Sequence, residues 1–359
     1  MVRRSLVSMS AFAALTAALA VVATVPAAGQ APSAAKTNGA GAKAYTPAKT
    51  ADGQPDLSGY WTNASYTPLQ RPKGVTKEFY TPEEMDERAA EERKAAARDT
   101  GTGTIRDLHY DNEQFGIDKG QATYAQNLRT SLIVDPPDGR IPPQIPEAVK
   151  RNAAIVEARK SRGGPLDKVQ NLGYDDRCIV MIGTAPPMLD PGYLATFQII
   201  QSPGYVTILT ERLHEARIIP LDGRPFPPSN VRAWRGASRG RWEGNTLVVE
   251  TRNSNGRIQE AAVGPIGNGS FQGATENMRV IERFTRTDAG RIDYRFTVED
   301  EKTWARPWSA ELPFAKMEQQ GPFFEHACHE GNRAPTNMMS VVRHQEKLAA
   351  EAAAKKSSN

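Results

Sequence analysis

Hydrophobic and polar positions along this chain change rhythm near residue 194. Upstream, the two clear periodic stretches are helical. Thr81-Pro-Glu-Glu84 opens the first: Thr81 caps, Pro82 fills the first turn and Glu84 completes a capping box. A polar surface helix is predicted from there to about Arg98, with Ala and Met as its only apolar side. A second helix is predicted from Pro146 to Ser161, turning Ala148, Ile155 and Val156 inward and stopped by Gly163-Gly164-Pro165. From Leu194 the pattern is β. Thr196–Gln201, Tyr205–Leu213 and Ala216–Pro220 are short β-rich runs separated by turn residues. Trp242-Glu-Gly-Asn-Thr-Leu-Val-Val-Glu-Thr251 reads as a hairpin turning at Glu-Gly-Asn. Met278–Arg286 and Ile292–Val298 flank a second turn, Asp288-Ala-Gly290, and Trp308–Phe314 and Phe323–Cys328 complete the series. Many short strands at near-regular spacing predict a mainly β protein, an antiparallel barrel or sandwich with peripheral helices in its N-terminal half. Residues 52–193 would supply the first strand and the helices, 194–344 the β meander, and 345–359 a polar helical tail.

The N-terminus changes the picture by assigning a compartment. Arg3 and Arg4 precede an apolar run from Ala11 to Val25, and small residues follow between Ala27 and Ala31. This is the order of a secretory signal peptide over residues 1–31, with an apolar run too short to span a bilayer. Residues 32–51 are rich in Ala, Gly, Thr, Pro and Lys and predict a disordered linker. No later segment is apolar enough for stable membrane insertion, so the expected location is periplasmic or secreted.

Export in turn decides how charge and cysteine are read. The chain holds 45 basic and 41 acidic residues, two of the basic ones in the leader. The rest is nearly neutral and lacks the basic footprint of a nucleic-acid partner. Two cysteines in an exported chain predict one disulfide, Cys178–Cys328, closing a loop of about 150 residues; two free thiols are the alternative.

The densest chemistry lies in Glu325-His326-Ala327-Cys328-His329-Glu330, followed by Gly331 and Asn332. On a strand, His326, Cys328 and Glu330 share one face, which makes His326 a packed neighbour of the disulfide and sends His329 to the other side. If the chain turns after Cys328, His329, Glu330 and Asn332 converge, with Gly331 permitting the backbone angle. Metal binding would need a ligand from elsewhere, His214 being the best placed; no metal or other cofactor is expected. His214, at a strand end, is either an exposed turn residue or an acid–base group oriented by Glu330. Asp175, Asp176 and Arg177 would be carried beside the cluster by the disulfide, as a structural salt bridge or as part of a site. Asp138-Gly-Arg140 and Asp222-Gly-Arg224 repeat one turn, read either as shared turn chemistry or as two stiff loops presenting arginines at a barrel mouth. Trp61, Trp234, Trp242, Trp304 and Trp308 read as core, or in part as an aromatic pocket.

Gly59-Tyr60-Trp61 resembles the opening motif of the lipocalin and calycin barrels, whose tryptophan closes one end of the barrel. A wider set is similar to a family of exported proteobacterial and acidobacterial proteins. It comprises Asp52-Gly-Gln-Pro-Asp-Leu-Ser-Gly-Tyr-Trp-Thr-Asn63, Asp176-Arg-Cys178, Ile219-Pro-Leu-Asp-Gly-Arg-Pro225, Gly240-Arg-Trp-Glu-Gly-Asn-Thr-Leu-Val-Val249 and Ala327-Cys-His-Glu-Gly-Asn332. That resemblance implies export and bacterial origin and transfers no catalytic residue.

Two functions follow as expectations. The first is a barrel that binds a small apolar or aromatic organic molecule through Arg177, Arg217, Arg224, Trp234, Trp242, Arg306 and Asn332. The second is a metal-free acid–base enzyme, a lyase, isomerase or hydrolase, with His214 and His329 as acid and base and Glu330 orienting. A purely structural exported protein is a third. The absence of a Gly-x-Ser-x-Gly elbow, a phosphate loop and a dinucleotide fingerprint disfavours the common serine hydrolases and nucleotide enzymes.

Overall fold

Strands that alternate in sequence pair in register in space. The computed structural model describes residues 45–96, 125, 127–161, 163, 167–181, 183–184, 186–191, 194–257, 271, 274–317 and 325–357. The expected signal peptide and most of the linker lie outside the described residues. The strands are β1 (Gly59–Thr62), β2 (Ile133–Asp135), β3 (Thr196–Ser202), β4 (Tyr205–Thr210), β5 (Ala216–Pro220), β6 (Ala237–Glu243), β7 (Thr246–Arg252), β8 (Arg279–Asp288), β9 (Arg291–Glu299) and β10 (Trp308–Lys316). They form one ten-stranded antiparallel sheet in the order β5-β4-β3-β1-β10-β9-β8-β7-β6, with β2 paired to β10 off that path. The sheet curls until β5 and β6 face each other, a calycin-like barrel closed except at that seam.

The inner face is filled. Inward positions on β8, β9 and β10 place Phe284, Tyr294, Phe296, Trp308 and Phe314 against one another and against Phe197 of β3, with Tyr294 stacked on Phe314 at 4.7 Å. Each is at most 1% exposed, so the interior is packed core and the strand alternation is explained by burial of one face.

The two ends differ. At the end carrying the hairpin turns, Trp61 is fully buried and donates its indole Nε1–H to the carbonyl of Leu57 at 2.9 Å. Arg286 lies 5.5 Å from its ring and donates to the carbonyls of Asp56, Asp288 and Ala289. The tryptophan of the Gly-x-Trp motif thus closes this end of the barrel. At the opposite end the segment 186–190 is the stopper. Asn63, one residue past β1, holds it by donating Nδ2–H to the carbonyls of Met188 and Leu189, at 3.1 and 3.0 Å.

Helices are peripheral: α1 (Pro82–Ala96), α2 (Pro146–Lys160) and α3 (Ala334–Ser357). The capping box of α1 forms as predicted, Glu84 N–H to Thr81 Oγ1 at 3.2 Å and Thr81 N–H to Glu84 Oε2 at 2.8 Å. In α2, Ala148 is buried but Val156 is 42% exposed, against expectation, because only one side of the helix start docks. The predicted tail helix begins at Ala334, well before Gln345, directly after the Gly331 turn.

Three further expectations change. β4 ends at Thr210 rather than Leu213, because residues 212–214 form a 3₁₀ corner. Residues 325–327 have no regular structure and 328–331 form a turn, so the part of the predicted 323–328 strand that is described is not a strand. Both Asp-Gly-Arg units are turns in which the aspartate Oδ1 accepts the arginine's own N–H, at 3.0 Å in Asp138–Arg140 and 3.1 Å in Asp222–Arg224.

Candidate functional site

Closure of the barrel is the first local chemistry to explain. β5 and β6 are not paired by a backbone ladder, and two open edges expose unpaired N–H and C=O groups. Side chains take over. Arg217, inward on β5, donates Nε–H to Ser238 Oγ on β6 at 3.0 Å and Nη2–H to Thr251 Oγ1 on β7 at 2.8 Å. It then forms a two-armed ion pair with Glu282 on β8. Glu282 is fully buried and also accepts from Tyr294 Oη at 2.8 Å, while Tyr294 Oη accepts the Met188 N–H at 2.9 Å. Burial, with the neighbouring Glu282 carboxylate, pushes the Tyr294 phenol well above its ordinary range, so it remains a donor. The network stitches both sides of the seam to the stopper. Gly240 lets the edges approach: a Cβ there would meet Leu221 Cδ2 at 2.6 Å and Ile219 Cγ2 at 2.9 Å.

The stoppered end gathers the rest. The predicted disulfide joins Cys178 to Cys328. Asn332 Nδ2–H donates to the Asp176 carbonyl at 3.1 Å and to Cys178 Sγ at 3.3 Å. His326, half-buried, accepts the Leu213 N–H on Nδ1 at 3.0 Å, which ties the cysteine segment to the β4–β5 corner. Burial first and the Arg212 guanidinium second lower its pKa. Arg212 is itself buried, donating to Pro191 O at 2.9 Å and to Met181 Sδ at 3.2 Å. Burial raises the carboxyl pKa of Asp176, helped by Asp175, and that of Glu211 against hydrogen bonds from Thr196.

A small pocket opens beside this cap, lined among others by Trp234, Arg235, Thr251, Ser254, Met278 and Val280. It has room for about one water-sized group. Arg235 is held in place by Glu215 at 3.1 Å and by the carbonyl and hydroxyl of Thr184. Trp234 packs edge-on against Tyr174 at 5.0 Å. Ser254 is 6% exposed, and its Oγ has no hydrogen-bond partner among the described residues. Buried hydroxyls are nearly always satisfied, so this one has capacity for a further polar partner, as do other buried polar atoms such as Trp242 Nε1 and Trp308 Nε1.

The sequence-derived site residues therefore scatter. His214, His329 and Glu330 are exposed, and no hydrogen bond links any two of their side chains among the described residues. Arg217 is inside the barrel rather than at a rim. Arg224 is at the far end, paired with Asp222 and with Tyr205 Oη. Trp242 packs against the core near that same end. Arg306 is exposed and paired with Asp135 at 2.6 Å. Arg177 lies over the Tyr174 ring at 5.6 Å and forms no ion pair with Asp176 or Glu330 among the described residues. Of the ligand-binding set, only Trp234 lines the pocket. Glu282 was legible as a lone carboxylate among the inward β8 positions Val280, Glu282 and Phe284; nothing in the sequence marks Ser254 or Arg235. Among the described residues no three His, Cys, Asp or Glu side chains cluster as a metal site requires, and no helix is long and apolar enough to cross a membrane. No family model, curated protein or solved structure matches the chain.

Proposed function

We propose that this is an exported bacterial binding protein that takes a small, neutral, largely apolar or aromatic molecule at the stoppered end of its barrel. The observation that carries the reading is Ser254, a buried hydroxyl without a partner in a pocket walled by Trp234, Met278 and Val280. Of the polar lining groups, Thr251 is taken by Arg217 and Ser238, Arg235 by Glu215 and Thr184, and Arg252 by Glu250, which leaves the Ser254 hydroxyl to meet a ligand beside the apolar walls. The packed interior leaves the pocket and its rim as the place for a ligand, which would insert one hydroxyl- or carbonyl-sized group and rest its body on Trp234. Arg235 is already neutralised by Glu215, so the site offers little to an anion. The disulfide and the leader-like N-terminus support an oxidising, extracytoplasmic setting. The resemblance of the motif set to exported proteobacterial and acidobacterial proteins is in keeping with the same origin. The acid–base alternative has less support, because His214, His329 and Glu330 do not converge.

The test is direct. Protein isolated from its own compartment is denatured and its extract searched by mass spectrometry. A panel of neutral aromatic alcohols and ketones is then scored by thermal shift and tryptophan quenching. Saturable binding that Trp234→Ala weakens at least tenfold is the expected result. No co-purified compound together with no saturable binding across the panel would overturn the reading.

A further inference from the structure

The corner between β4 and β5 holds two successive left-handed residues that are not glycine, Leu213 at φ 59° and His214 at φ 50°. Side chains with a Cβ occupy that region only when the surroundings impose it. Thr210 braces the corner, its Oγ1–H donating to Arg212 O at 3.0 Å and its N–H to Glu215 O at 2.9 Å. Arg212 anchors it below, on Met181 and Pro191. Glu211 N–H is donated to Thr196 O at 2.9 Å and His214 N–H to Glu211 O at 3.1 Å, and the Leu213 N–H is held from outside the corner, by His326 Nδ1. That acceptor exists only while His326 is neutral with its proton on Nε2. Protonation would set N–H against N–H and add a positive charge facing Arg212. The backbone of His326 is held close by, because its carbonyl accepts the Cys328 N–H at 2.8 Å and Cys328 is bonded to Cys178.

The corner also reaches the pocket. Glu215, next after His214, holds Arg235, and Arg235 lines the pocket beside Trp234. We propose that His326 is an acid-sensitive latch on this site: its protonation releases Leu213, relaxes the corner, withdraws Glu215 from Arg235 and lowers affinity for the ligand. The gating part rests on the binding reading above; the latch itself does not. Burial and Arg212 keep His326 neutral at pH 7, so the latch is closed there and opens on acidification. The other charged groups on the joined segments are Glu211, Arg212, His214 and Glu215 on the corner, Asp175, Asp176 and Arg177 beside the disulfide, and Glu325, His329 and Glu330 on the histidine's own segment. Glu211 and Asp176 also gain protons on acidification, which is why the variant below must remove the histidine's titration alone.

Hydrogen exchange and ligand affinity separate the two parts. In unliganded protein, exchange protection of the Leu213 amide, corrected for intrinsic rate, should fall at least tenfold as the pH is lowered from 7 through the titration of the His326 ring, followed on its own resonances. In His326→Asn, whose Oδ1 stands where Nδ1 does and which loses the titration, it should stay flat. The His326 ring and Leu213 amide resonances of the unmodified protein should titrate with one midpoint, which keeps the test decisive if the variant misfolds. Unchanged protection, or separate midpoints, overturns the latch. For any compound bound at pH 7, Kd should rise at least fivefold once the His326 ring is protonated, and not in His326→Asn; a pH-independent Kd with a titrating Leu213 overturns the gating alone. If no compound binds at any pH, the binding reading falls while Leu213 exchange still decides the latch.

Discussion

Arg217 on β5 and Glu282 on β8 form a two-armed ion pair inside the barrel, across the seam where the sheet has no backbone ladder. The side chains are 9% and 0% exposed, so removing either partner strands a buried charge. Arg217→Ala should cost about 3–5 kcal/mol in urea unfolding, because the buried Glu282 carboxyl loses its principal partner. The double variant Arg217→Met/Glu282→Leu should recover most of that loss, since an apolar pair pays no desolvation penalty. A single-variant loss below about 1 kcal/mol would show that the seam is held by something else.

Ser254 gives an opposite sign for stability and binding. An unpartnered buried hydroxyl costs free energy in the empty protein, on the order of 1–3 kcal/mol at full burial. Ser254→Ala should therefore leave stability unchanged or raise it by up to about 1 kcal/mol, while weakening a hydroxyl- or carbonyl-bearing ligand roughly tenfold. Loss of stability in Ser254→Ala would mean that the hydroxyl is satisfied in solution and would remove the main support for the pocket.

Glu211 sets a pH dependence of defined sign. Burial raises its folded pKa above the usual 4.5, so between those values the native state holds a proton that the unfolded state has released. Stability from this group is full below about pH 4.5 and is lost as pH rises through the folded pKa. His326 acts in the other direction: its folded pKa lies below 6.5, so its contribution is full above that value and is lost as pH falls. Unfolding curves of Glu211→Gln should match those of the unmodified protein near pH 4 and become more stable than them toward pH 7. Parallel curves at every pH would show that Glu211 is solvated in the folded protein.

Much of the barrel was legible because its cause is local. Alternation in β8 and β9, the Asp288-Ala-Gly290 turn and the Thr81–Glu84 capping box each follow from residues close in sequence. The ends of elements were less so: β4 stops at Thr210 because Arg212 is drawn inward to Met181 and Pro191, partners that β4 itself does not reveal. The candidate site was hardly legible. Arg217 reads from the sequence as a ligand-binding arginine, whereas its place opposite Glu282 depends on how the sheet curls. Ser254 and Arg235 share a pocket only because β6 and β7 pair. Several motif residues prove to be joints. Trp61 closes one end, Asn63 holds the stopper and Asn332 holds the disulfide loop, so motif density measured the needs of the fold more than chemistry.

The disulfide is the joint whose loss should propagate furthest. Cys178 and Cys328 are separated by 150 residues, and the chain-entropy account of so long a loop gives about 5 kcal/mol, with 2–5 kcal/mol usual for native bridges. Cys178 is also left-handed, at φ 55°, and Asn332 bonds its sulfur and the nearby Asp176 carbonyl, so the bridge fixes local backbone as well as topology. Cys178→Ser/Cys328→Ser should lower stability by about 2–5 kcal/mol and leave the barrel's far-ultraviolet signature intact. It should also release His326, so that Leu213 amide protection falls at pH 7 without acid, as only protonation achieves in the intact protein. Intact mass under non-reducing conditions must show the unmodified protein two hydrogens lighter than its reduced form. Leu213 protection unchanged in the double serine variant would place the anchor of His326 elsewhere than the disulfide.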